Sequence, residues 1–543
     1  MRQLFTPIFS LVFTLIVIGD QPVKAQSDEA LEAISDEFVP GLVGHYVDST
    51  GKMITRKDDA ISFQWAGLSP DQRLTAADFR AIWTGFLFTQ AQGVFRIHAY
   101  VSGKGVVEID GEVALEFDQE EPGWIASDPI QLEFDWLPFS ADFRPSAENG
   151  VFKLFWQGPG FQLEPISARS WFHSPDKTPS GGFDTGRELV QSLRCARCHD
   201  LPNAGIDAGL APDFAHVSSF VRKDWIISRL TSSEMTAGQK MPAFEMTDDD
   251  ATAVAAFLMS QSKPVEEDLP AGDVKKSGDA ESGKATFMSI GCVACHQKDG
   301  VGDSTTFDGG LLDNINKKRT PDFWKAWLTQ PDSVNKNHRM PLFKLSDEEI
   351  TNLVAFLTDS GKEQPADKDI QLSDEVVRRG KILFESHSCT SCHEKNEERR
   401  PIDISVLQQS GCVSGIERKT IQPGFKLNKQ QQEMIAQFVT NAVTPTSEQT
   451  SHDLLRMNNC LQCHARDANK GIGGQLDAVL NSTPDLADVA AALAPPSLNS
   501  VGDKLHNAAI EKTIRRDDDG HRPWLRVRMP KFNLSDSEVA SLV

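Results

Sequence analysis

Residues 292–296 read CVACH, and the same pattern of Cys-x-x-Cys-His occurs at three other places in this chain. The other copies are CARCH at 195–199, CTSCH at 389–393 and CLQCH at 460–464. Eight of the nine cysteines therefore belong to one repeated motif, and only Cys412 is left over. A motif that recurs in this way predicts a row of similar small domains, each built around its own copy.

The Cys-x-x-Cys-His motif is the attachment signal for c-type haem. Each thiol can form a thioether with one vinyl group of the porphyrin, and the adjacent histidine can bind the iron. Zinc binding and a redox-active dithiol are the alternatives, but neither explains a histidine after every pair. We therefore expect four haem c groups with iron. The attachment residues are Cys195, Cys198, Cys292, Cys295, Cys389, Cys392, Cys460 and Cys463, and the proximal iron ligands are His199, His296, His393 and His464.

A second landmark, Met-Pro-x-Phe, follows three of the four motifs and begins at Met241, Met340 and Met529. After it come a Ser or Thr, acidic residues and an apolar run with helical spacing. Ser346 is such a residue, and its place before Asp347 predicts a helix N-cap. Each repeat therefore indicates the order helix, tether, loop, methionine and helix.

The repeats resemble small class I cytochrome c domains over roughly residues 183–543. This resemblance implies a mostly helical fold around one haem, with a methionine sulfur as the distal iron ligand. The implied ligand pairs are His199 with Met241, His296 with Met340, and His464 with Met529. It also implies that a proline carbonyl accepts a hydrogen bond from the proximal histidine. Residues 495–498 would supply that proline in the fourth repeat, and residues 211–214 in the first.

The third repeat departs from this pattern, because its segment KTIQPGFKL at 419–427 places Gln422 where the others have methionine. Loss of the sulfur ligand lowers the potential of a haem or leaves its distal side open. We therefore expect the third haem to be spectroscopically distinct. Cys412 lies in the same repeat and is another candidate ligand, with a free buried thiol as the alternative.

Residues 38–173 contain no such motif and show short alternating runs typical of β-strands, such as Phe95–Val101. Asp110-Gly111 predicts a hairpin turn, and the recurring turn signals favour a β-sandwich. The segments 40–46, 83–87, 106–111 and 154–159 resemble parts of a PA14 domain. Some PA14 domains bind glycans, so the resemblance implies a candidate glycan partner, with a purely structural role as the alternative.

The predicted fold class is multidomain, with an N-terminal all-β sandwich followed by four small all-α cytochrome c domains. The combination resembles planctomycete-type fusions of a PA14 domain with cytochrome c domains. Because the last helix is short, we expect the sequence to be a fragment. The predicted units are a signal peptide at 1–25, a sandwich at 38–173, and cytochrome c domains at 183–263, 276–361, 372–443 and 447–543.

The N-terminus has the pattern of a secretory signal peptide. Arg2 precedes an apolar run at residues 8–18, and Val23-Lys24-Ala25 is a small-residue cleavage site. We therefore expect cleavage after Ala25 and a periplasmic or secreted protein with no transmembrane segment after signal removal. The formal charge of −22 argues against a nucleic-acid partner, because phosphates would be repelled.

These features predict an exported tetrahaem electron carrier whose redox protein partners are unidentified. We assign no catalytic residue, since no histidine or carboxylate clearly serves as an acid or base at the third haem. Two alternatives stay open. One is a haem enzyme, peroxidase-like or a small-ligand reductase, acting at the third haem. The other is a glycan-binding module coupled to a dehydrogenase.

Overall fold

The structure of the chain is a computed structural model. It describes residues 37–65, 67–74, 78–146, 149–201, 203–206, 209, 211–232, 241–263, 278–302, 307, 309–358, 370, 372–394, 399–402, 412–413, 424–425, 427–516, 522 and 524–543. The expected signal peptide at 1–25 and the residue Gln422 lie outside these residues. The boundaries that the sequence predicts for the individual units stay predictions.

The N-terminal region is all β, and its twelve strands surround one core rich in aromatic side chains. Trp83 and Trp171 are fully buried there, and the ring of Phe143 stacks on Phe152 with centroids 4.8 Å apart. The strands are β1 (Val39–Pro40), β2 (Leu42–Asp48), β3 (Met53–Asp58), β4 (Ser62–Gln64), β5 (Phe79–Phe88), β6 (Gly93–Ile109), β7 (Glu112–Ala126), β8 (Ile130–Leu132), β9 (Trp136–Pro145), β10 (Val151–Gly158), β11 (Phe161–Pro165) and β12 (Trp171–His173).

The long strand β6 joins the two layers of this domain. Up to Ser102 it pairs with β10, and from Gly103 onward it pairs with β9. Gly103 has a φ of 144°, and a Cβ there would lie 2.3 Å from the carbonyl oxygen of Arg144, so only glycine fits this corner. The predicted turn between β6 and β7 is present, because Asp110 and Gly111 both have positive φ.

The rest of the chain is mainly helical, which confirms the predicted order of an all-β region followed by all-α units. Its helices are α1 (Gly182–Ser192), α2 (Val217–Phe220), α3 (Lys223–Thr231), α4 (Asp248–Gln261), α5 (Ala280–Ile290), α6 (Phe323–Thr329), α7 (Pro331–Val334), α8 (Asp347–Thr358), α9 (Asp374–Ser386), α10 (Cys389–His393), α11 (Lys429–Thr440), α12 (Ser447–Met457), α13 (Cys460–Cys463), α14 (Leu476–Ser482), α15 (Val501–Lys504), α16 (Asn507–Arg515) and α17 (Asp536–Leu542). Short parallel bridges pair β13 (His199–Asp200) with β16 (Arg400–Pro401) and β14 (His296–Gln297) with β15 (Gly310–Leu311).

The second repeat closes on itself, which means that its first helix packs on its own last helix. Helix α5, before the tether, crosses α8, after the methionine. At the crossing, a Cβ on Gly283 would lie 1.9 Å from the carbonyl oxygen of Asn352, so glycine lets the two backbones meet. The predicted cap of α8 is present as well, because Ser346 Oγ accepts a hydrogen bond from the backbone N–H of Glu349 at 3.2 Å.

The first and third repeats do not close on themselves but exchange helices. Helix α1 of the first repeat packs on α11 of the third, and α9 of the third packs on α4 of the first. The same glycine contact marks both crossings. A Cβ on Gly186 would lie 2.0 Å from Met434 O, and a Cβ on Gly380 would lie 1.9 Å from Ala253 O. Each of these two units is therefore assembled from both repeats.

Charged contacts join the units to one another. Arg187 on α1 and Asp453 on α12 form a buried ion pair with a 2.5 Å N–O distance. Lys153 on β10 lies 3.0 Å from Asp503 on α15, which ties the β domain to the fourth repeat. Within the part of the chain that the structure describes, no helix combines the length and the apolar character that crossing a membrane requires.

Candidate haem-binding sites

All four Cys-x-x-Cys-His motifs adopt the same tight turn. The residue before the first cysteine is left-handed in each copy, and a short helical turn then carries the two cysteines. A left-handed conformation is strained for most residues, and such strain is found mainly at functional sites. The left-handed residues and their φ values are Arg194 (59°), Gly291 (112°), Ser388 (57°) and Asn459 (56°).

The second site draws its parts from its own repeat. The Nδ1 of His296 lies 3.4 Å from Gly310 O, and the ring packs so closely on Gly309 that a Cβ there would lie 2.3 Å from it. Met340 packs in the same apolar cluster as Cys292 and Cys295. The structure therefore places Met340 in the apolar cluster of Cys292 and Cys295, a cluster that also contains Cys463 of the fourth tether.

The fourth site has the proline contact that the sequence predicts. The Nδ1 of His464 lies 2.7 Å from Pro496 O, which is a good hydrogen-bond distance. Donation from Nδ1–H leaves Nε2 as the nitrogen with a free lone pair, the state that an iron ligand needs. Burial also lowers the pKa of His464, which favours this neutral form. Met529 is half-buried and begins the segment whose Lys531 pairs with Leu342 of the second repeat.

At the third site the proline comes from a different repeat than expected. Pro212 O accepts from the Nδ1 of His393 at 2.7 Å, and the backbone N–H of Ala211 donates to Cys392 O at 2.9 Å. The ring of Phe214 stacks on the imidazole of His393 with centroids 4.4 Å apart. The expectation that residues 211–214 serve the histidine of the first repeat is therefore wrong, because the helix exchange delivers this loop to His393.

Met241 also lies at the third site. It packs in the apolar cluster that contains Cys389 and the buried face of α4. In the same segment, Phe244 contacts the ring of His387, two residues before Cys389, with centroids 6.1 Å apart. The structure thus places Met241 in the apolar cluster of the third tether, and the implied pairing of His199 with Met241 stays a prediction.

The first site receives the corresponding part of the third repeat. Cys195 packs in a cluster with Phe183 of α1, Phe438 of α11 and Cys412. His199 pairs through its backbone with Arg400 in a parallel bridge. Burial, reinforced by the nearby Cys412 thiol, raises the pKa of Cys195 to about 12. Among the described residues of this cluster there is no methionine.

The sites are arranged in two pairs. The thiols of Cys198 and Cys392 share a hydrogen bond that raises the pKa of Cys392, and Arg197 donates to Ser391 O at 3.1 Å. The first and third tethers therefore face each other. The second and fourth tethers are also neighbours, because a Cβ on Gly291 would lie 3.9 Å from Cys463 Sγ. The four tethers therefore form two neighbouring pairs.

A group of buried cations supports the fit of a haem at the third site. Arg229 is 5% exposed, and its Nη1 is buried with no hydrogen-bond partner among the described residues. Its Nη2 donates to Pro242 O at 3.2 Å, beside Met241. Burial, with Arg319 and Arg229 nearby, lowers the pKa of Lys318 to about 7. A cation as buried as Arg229 favours a nearby anion, and the two propionate carboxylates of a haem would supply one.

The sequence predicts the tethers and the methionines, but it does not predict the exchange or the cations. The cations come from two repeats, Arg229 on α3 and Lys318 beyond the second tether, so no local motif links them. One sign of the exchange is present in the sequence, because the third repeat is short between its tether and Gln422.

Comparison with known proteins identifies the repeats. Residues 181–258 match the family described as cytochrome C oxidase, cbb3-type, subunit III, and residues 280–360 and 452–543 match the cytochrome c family. The chain therefore carries cytochrome c domains behind its N-terminal β region, which confirms the resemblance inferred from the motifs. The first of these matches runs continuously through the first repeat, whereas the structure divides that repeat between two sites.

Among curated proteins, the chain is similar to a Cbb3-type cytochrome c oxidase subunit CcoP from Helicobacter pylori (strain 52). The two are 28% identical over 170 residues, which cover 30% of this chain and 54% of that protein. The chain thus matches only about half the length of this relative.

Solved structures similar to this chain include two PA14 domains. One is titled as the PA14 domain of the MpAFP antifreeze protein, with 12% identity, a TM-score of 0.23, and coverage of 27% of this chain and 96% of that one. The other is titled as a PA14 sugar-binding domain from an RTX adhesin, with 14% identity, a TM-score of 0.21, and coverage of 25% and 99%.

Proposed function

We propose that this protein is an exported tetrahaem c-type cytochrome that moves electrons through four covalently bound haems. The cytochrome c family matches support a c-type cytochrome that takes part in electron transfer. The observation that carries the count of four is the shared turn geometry of all four motifs, including its left-handed residue. The proposed attachment residues are the eight cysteines of the motifs, with the four motif histidines as proximal ligands.

The pairing of the tethers supports electron transfer rather than four independent sites. Two haems held by facing tethers can exchange electrons directly, and the haem itself performs the redox chemistry. The protein's own residues tether the porphyrin and surround the ring with apolar side chains. Three of the motif imidazoles, those of His296, His393 and His464, are also oriented by a carbonyl oxygen at Nδ1. Met241, Met340 and Met529 are the proposed distal ligands, and methionine ligation raises the potential of a haem.

Electron transfer is tested on the intact holoprotein. Rapid mixing of the reduced protein with an oxidised small cytochrome c should reoxidise all of its haem absorbance. If a fraction is not reoxidised, the corresponding haem is not connected to the others. As a control, the variant Cys292→Ser with Cys295→Ser should lose one haem and keep the transfer within the first and third pair.

Export through a cleaved signal peptide is the second part of the proposal. Its support is the pattern of residues 2–25, which is that of a secretory signal peptide. N-terminal sequencing of the mature protein should read from Gln26. A mature chain that retains Met1 would contradict export by this route.

A glycan partner for the N-terminal β domain is a further candidate function. Trp124 is 54% exposed on β7, and its ring lies 5.4 Å from Tyr100 and 4.8 Å from Phe155. An exposed aromatic group with a polar edge is a suitable surface for a sugar ring. Retention of the full-length protein on immobilised polysaccharides should fall in Trp124→Ala. Equal retention of both proteins would leave the domain with a structural role.

A further inference from the structure

We propose that the first and third repeats exchange haem ligands, so that Met241 of the first repeat is the sixth ligand of the haem tethered at Cys389 and Cys392. This inference rests on the proposed function, because it assumes that both motifs carry haem. It changes which haem lacks a methionine. The spectroscopically distinct haem is then the one tethered at Cys195 and Cys198. It is not the haem tethered at Cys389 and Cys392, in the repeat that carries Gln422.

The proximal side of the third site gives the first argument. Its histidine, His393, donates to Pro212 O at 2.7 Å and stacks on Phe214. The fourth site has the same arrangement within one repeat, where His464 donates to Pro496 O at 2.7 Å. The loop at 211–214 therefore does for His393 what the loop at 495–498 does for His464, which is to hold the imidazole by a hydrogen bond at Nδ1. It follows that the first repeat orients the proximal histidine of the third haem.

The distal side gives the second argument, which is independent of the loop. Met241 packs in one cluster with Cys389, as Met340 packs with Cys292 in the second repeat. Phe244 of the same Met-Pro-x-Phe segment contacts His387 at the base of the third tether. Residues from one repeat therefore stand on both sides of a haem that another repeat tethers.

The helix crossings give the third argument. Gly380 meets Ala253 O and the Cβ of Phe257, while Gly283 meets Asn352 O and the Cβ of Phe356 in the second repeat. The contacts are the same in kind, but the partner helix of Gly380 belongs to the first repeat. Ion pairing reinforces this crossing, because Arg379 Nη2 lies 2.5 Å from Asp250 Oδ1.

The described residues of the third repeat around 412–413 and 424–427 lie near the first tether. Val413 and Leu427 pack in the cluster of Cys195, and the backbone N–H of Phe425 donates to Cys412 O at 2.7 Å. The two distal segments also touch, because Ala243 and Gly424 exchange backbone hydrogen bonds of 2.9 and 3.0 Å. The exchange is therefore reciprocal.

A zero-length cross-link tests the exchange without any reference to haem. In the variant Arg379→Lys, a carbodiimide should couple the new amine to Asp250, and mass spectrometry of the full-length protein should find the joined peptides. Gln431 on α11 corresponds in position to Asp250 on α4 but has no carboxylate. In a fold without exchange, position 379 would face Gln431. The pair Lys104 and Asp118, exposed and 2.8 Å apart, reports whether the reagent has reacted.

The matched control is Thr185→Lys, because Thr185 precedes Gly186 as Arg379 precedes Gly380. With exchange, the introduced amine at position 185 faces Gln431 and does not couple to Asp250. A link from position 185 to Asp250 would overturn the proposal. So would the absence of a link from position 379 in a sample where Lys104 and Asp118 are joined.

Redox titration then assigns the ligand. The variant Met241→Leu keeps the volume of the side chain and removes its sulfur. In protein that lacks the first tether through Cys195→Ser and Cys198→Ser, Met241→Leu should lower the potential of one haem and abolish one methionine–iron charge-transfer band. In protein that lacks the third tether through Cys389→Ser and Cys392→Ser, the same change should leave all potentials unaltered. The opposite pattern would overturn the assignment.

The two tests separate failure of this inference from failure of the proposed function. If no haem is attached, haem quantification shows it directly, while the cross-link still reports the arrangement of the helices. If haem is attached but Met241→Leu affects only the haem tethered at Cys195, the tetrahaem function stands and the ligand exchange is overturned.

Discussion

The guanidinium of Arg187 on α1 and the carboxylate of Asp453 on α12 form an ion pair that is almost fully buried, with a 2.5 Å N–O distance. Gln191 and Gln449 also donate to this carboxylate, at 3.1 and 2.8 Å. The pair joins the first helix of the first repeat to the first helix of the fourth. It therefore links the two pairs of tethers to each other.

Removal of this ion pair should destabilise the assembly of repeats. In Arg187→Ala the carboxylate of Asp453 stays buried without its charge partner, a change that costs about 3–5 kcal/mol. The control Asp536→Ala breaks the exposed pair with Arg515 and should cost less than about 1 kcal/mol. Thermal unfolding followed by far-UV circular dichroism measures both. Equal midpoints for the two variants would contradict the buried role of Arg187.

A cavity of 690 Å³ between the β domain and the fourth repeat contains His452, whose protonation should weaken the fold. Burial, and then the charges of Arg456 and Arg466, lower the pKa of His452 to about 4. An unfolded chain protonates this histidine near pH 6.5, so the unfolded state binds more protons between pH 6.5 and 4. Stability is therefore complete above pH 6.5 and falls as the pH decreases through this window.

Because the ring keeps partial contact with solvent, the loss should be about 1–2 kcal/mol at pH 4. The variant His452→Gln should lose correspondingly less stability on acidification than the wild type. Carboxyl groups of the same cavity, such as Asp184, have a raised pKa from burial and act in the opposite direction in both proteins. The difference between the two proteins in unfolding free energy, measured as a function of pH, thus isolates the effect of His452. If the two pH profiles run parallel, His452 is not buried as a neutral ring.

The crossing of α5 and α8 should not tolerate a methyl group. Gly283→Ala would place its Cβ 1.9 Å from the backbone oxygen of Asn352, so the helices must separate. We expect a loss of about 3 kcal/mol or more and a fall in haem incorporation at the second tether. The control Gly474→Ala meets its nearest atom at 3.5 Å, and it should behave like the wild type. Normal haem content in Gly283→Ala would contradict this packing.

The buried cations near Met241 should tune one haem. Below pH 7 Lys318 is mostly protonated despite its lowered pKa of about 7, so Lys318→Met then removes a positive charge. A positive charge stabilises the reduced state of a nearby haem. The potential of the haem tethered at Cys389 and Cys392 should therefore decrease while the other potentials stay constant. The exposed Lys381 provides the control, since Lys381→Met removes an equal charge that is screened by solvent. A uniform decrease across all haems would show that the cations act only through net charge.

Local features of the sequence were sufficient for much of this fold. The proline contact of His464, which the family resemblance implies, is present. The turn at Asp110-Gly111 and the cap at Ser346 each depend on a few adjacent residues, and each is present as predicted. Their physical causes are short-range, so pattern and spacing are enough to find them.

The pairing of helices could not be predicted in the same way. The crossings at Gly186, Gly283 and Gly380 have nearly the same pattern, so periodicity cannot decide which copies of the two helices meet. Chain connectivity decides little, because loop-closure entropy grows only with the logarithm of loop length. Pairing α1 with the distant α11 instead of α4 raises the free energy of loop closure by only about 1 kcal/mol. Specific side-chain contacts, such as Arg379 with Asp250, can offset such a difference.

The number of covalently bound haems tests the central claim most directly. A pyridine haemochrome assay on the full-length protein, matured in the periplasm, should give four haems for each polypeptide. Intact mass spectrometry should show the mature chain plus four haem groups that survive denaturation, as thioether bonds require. A stoichiometry of two or three in both measurements would contradict the proposal that all four Cys-x-x-Cys-His turns carry haem.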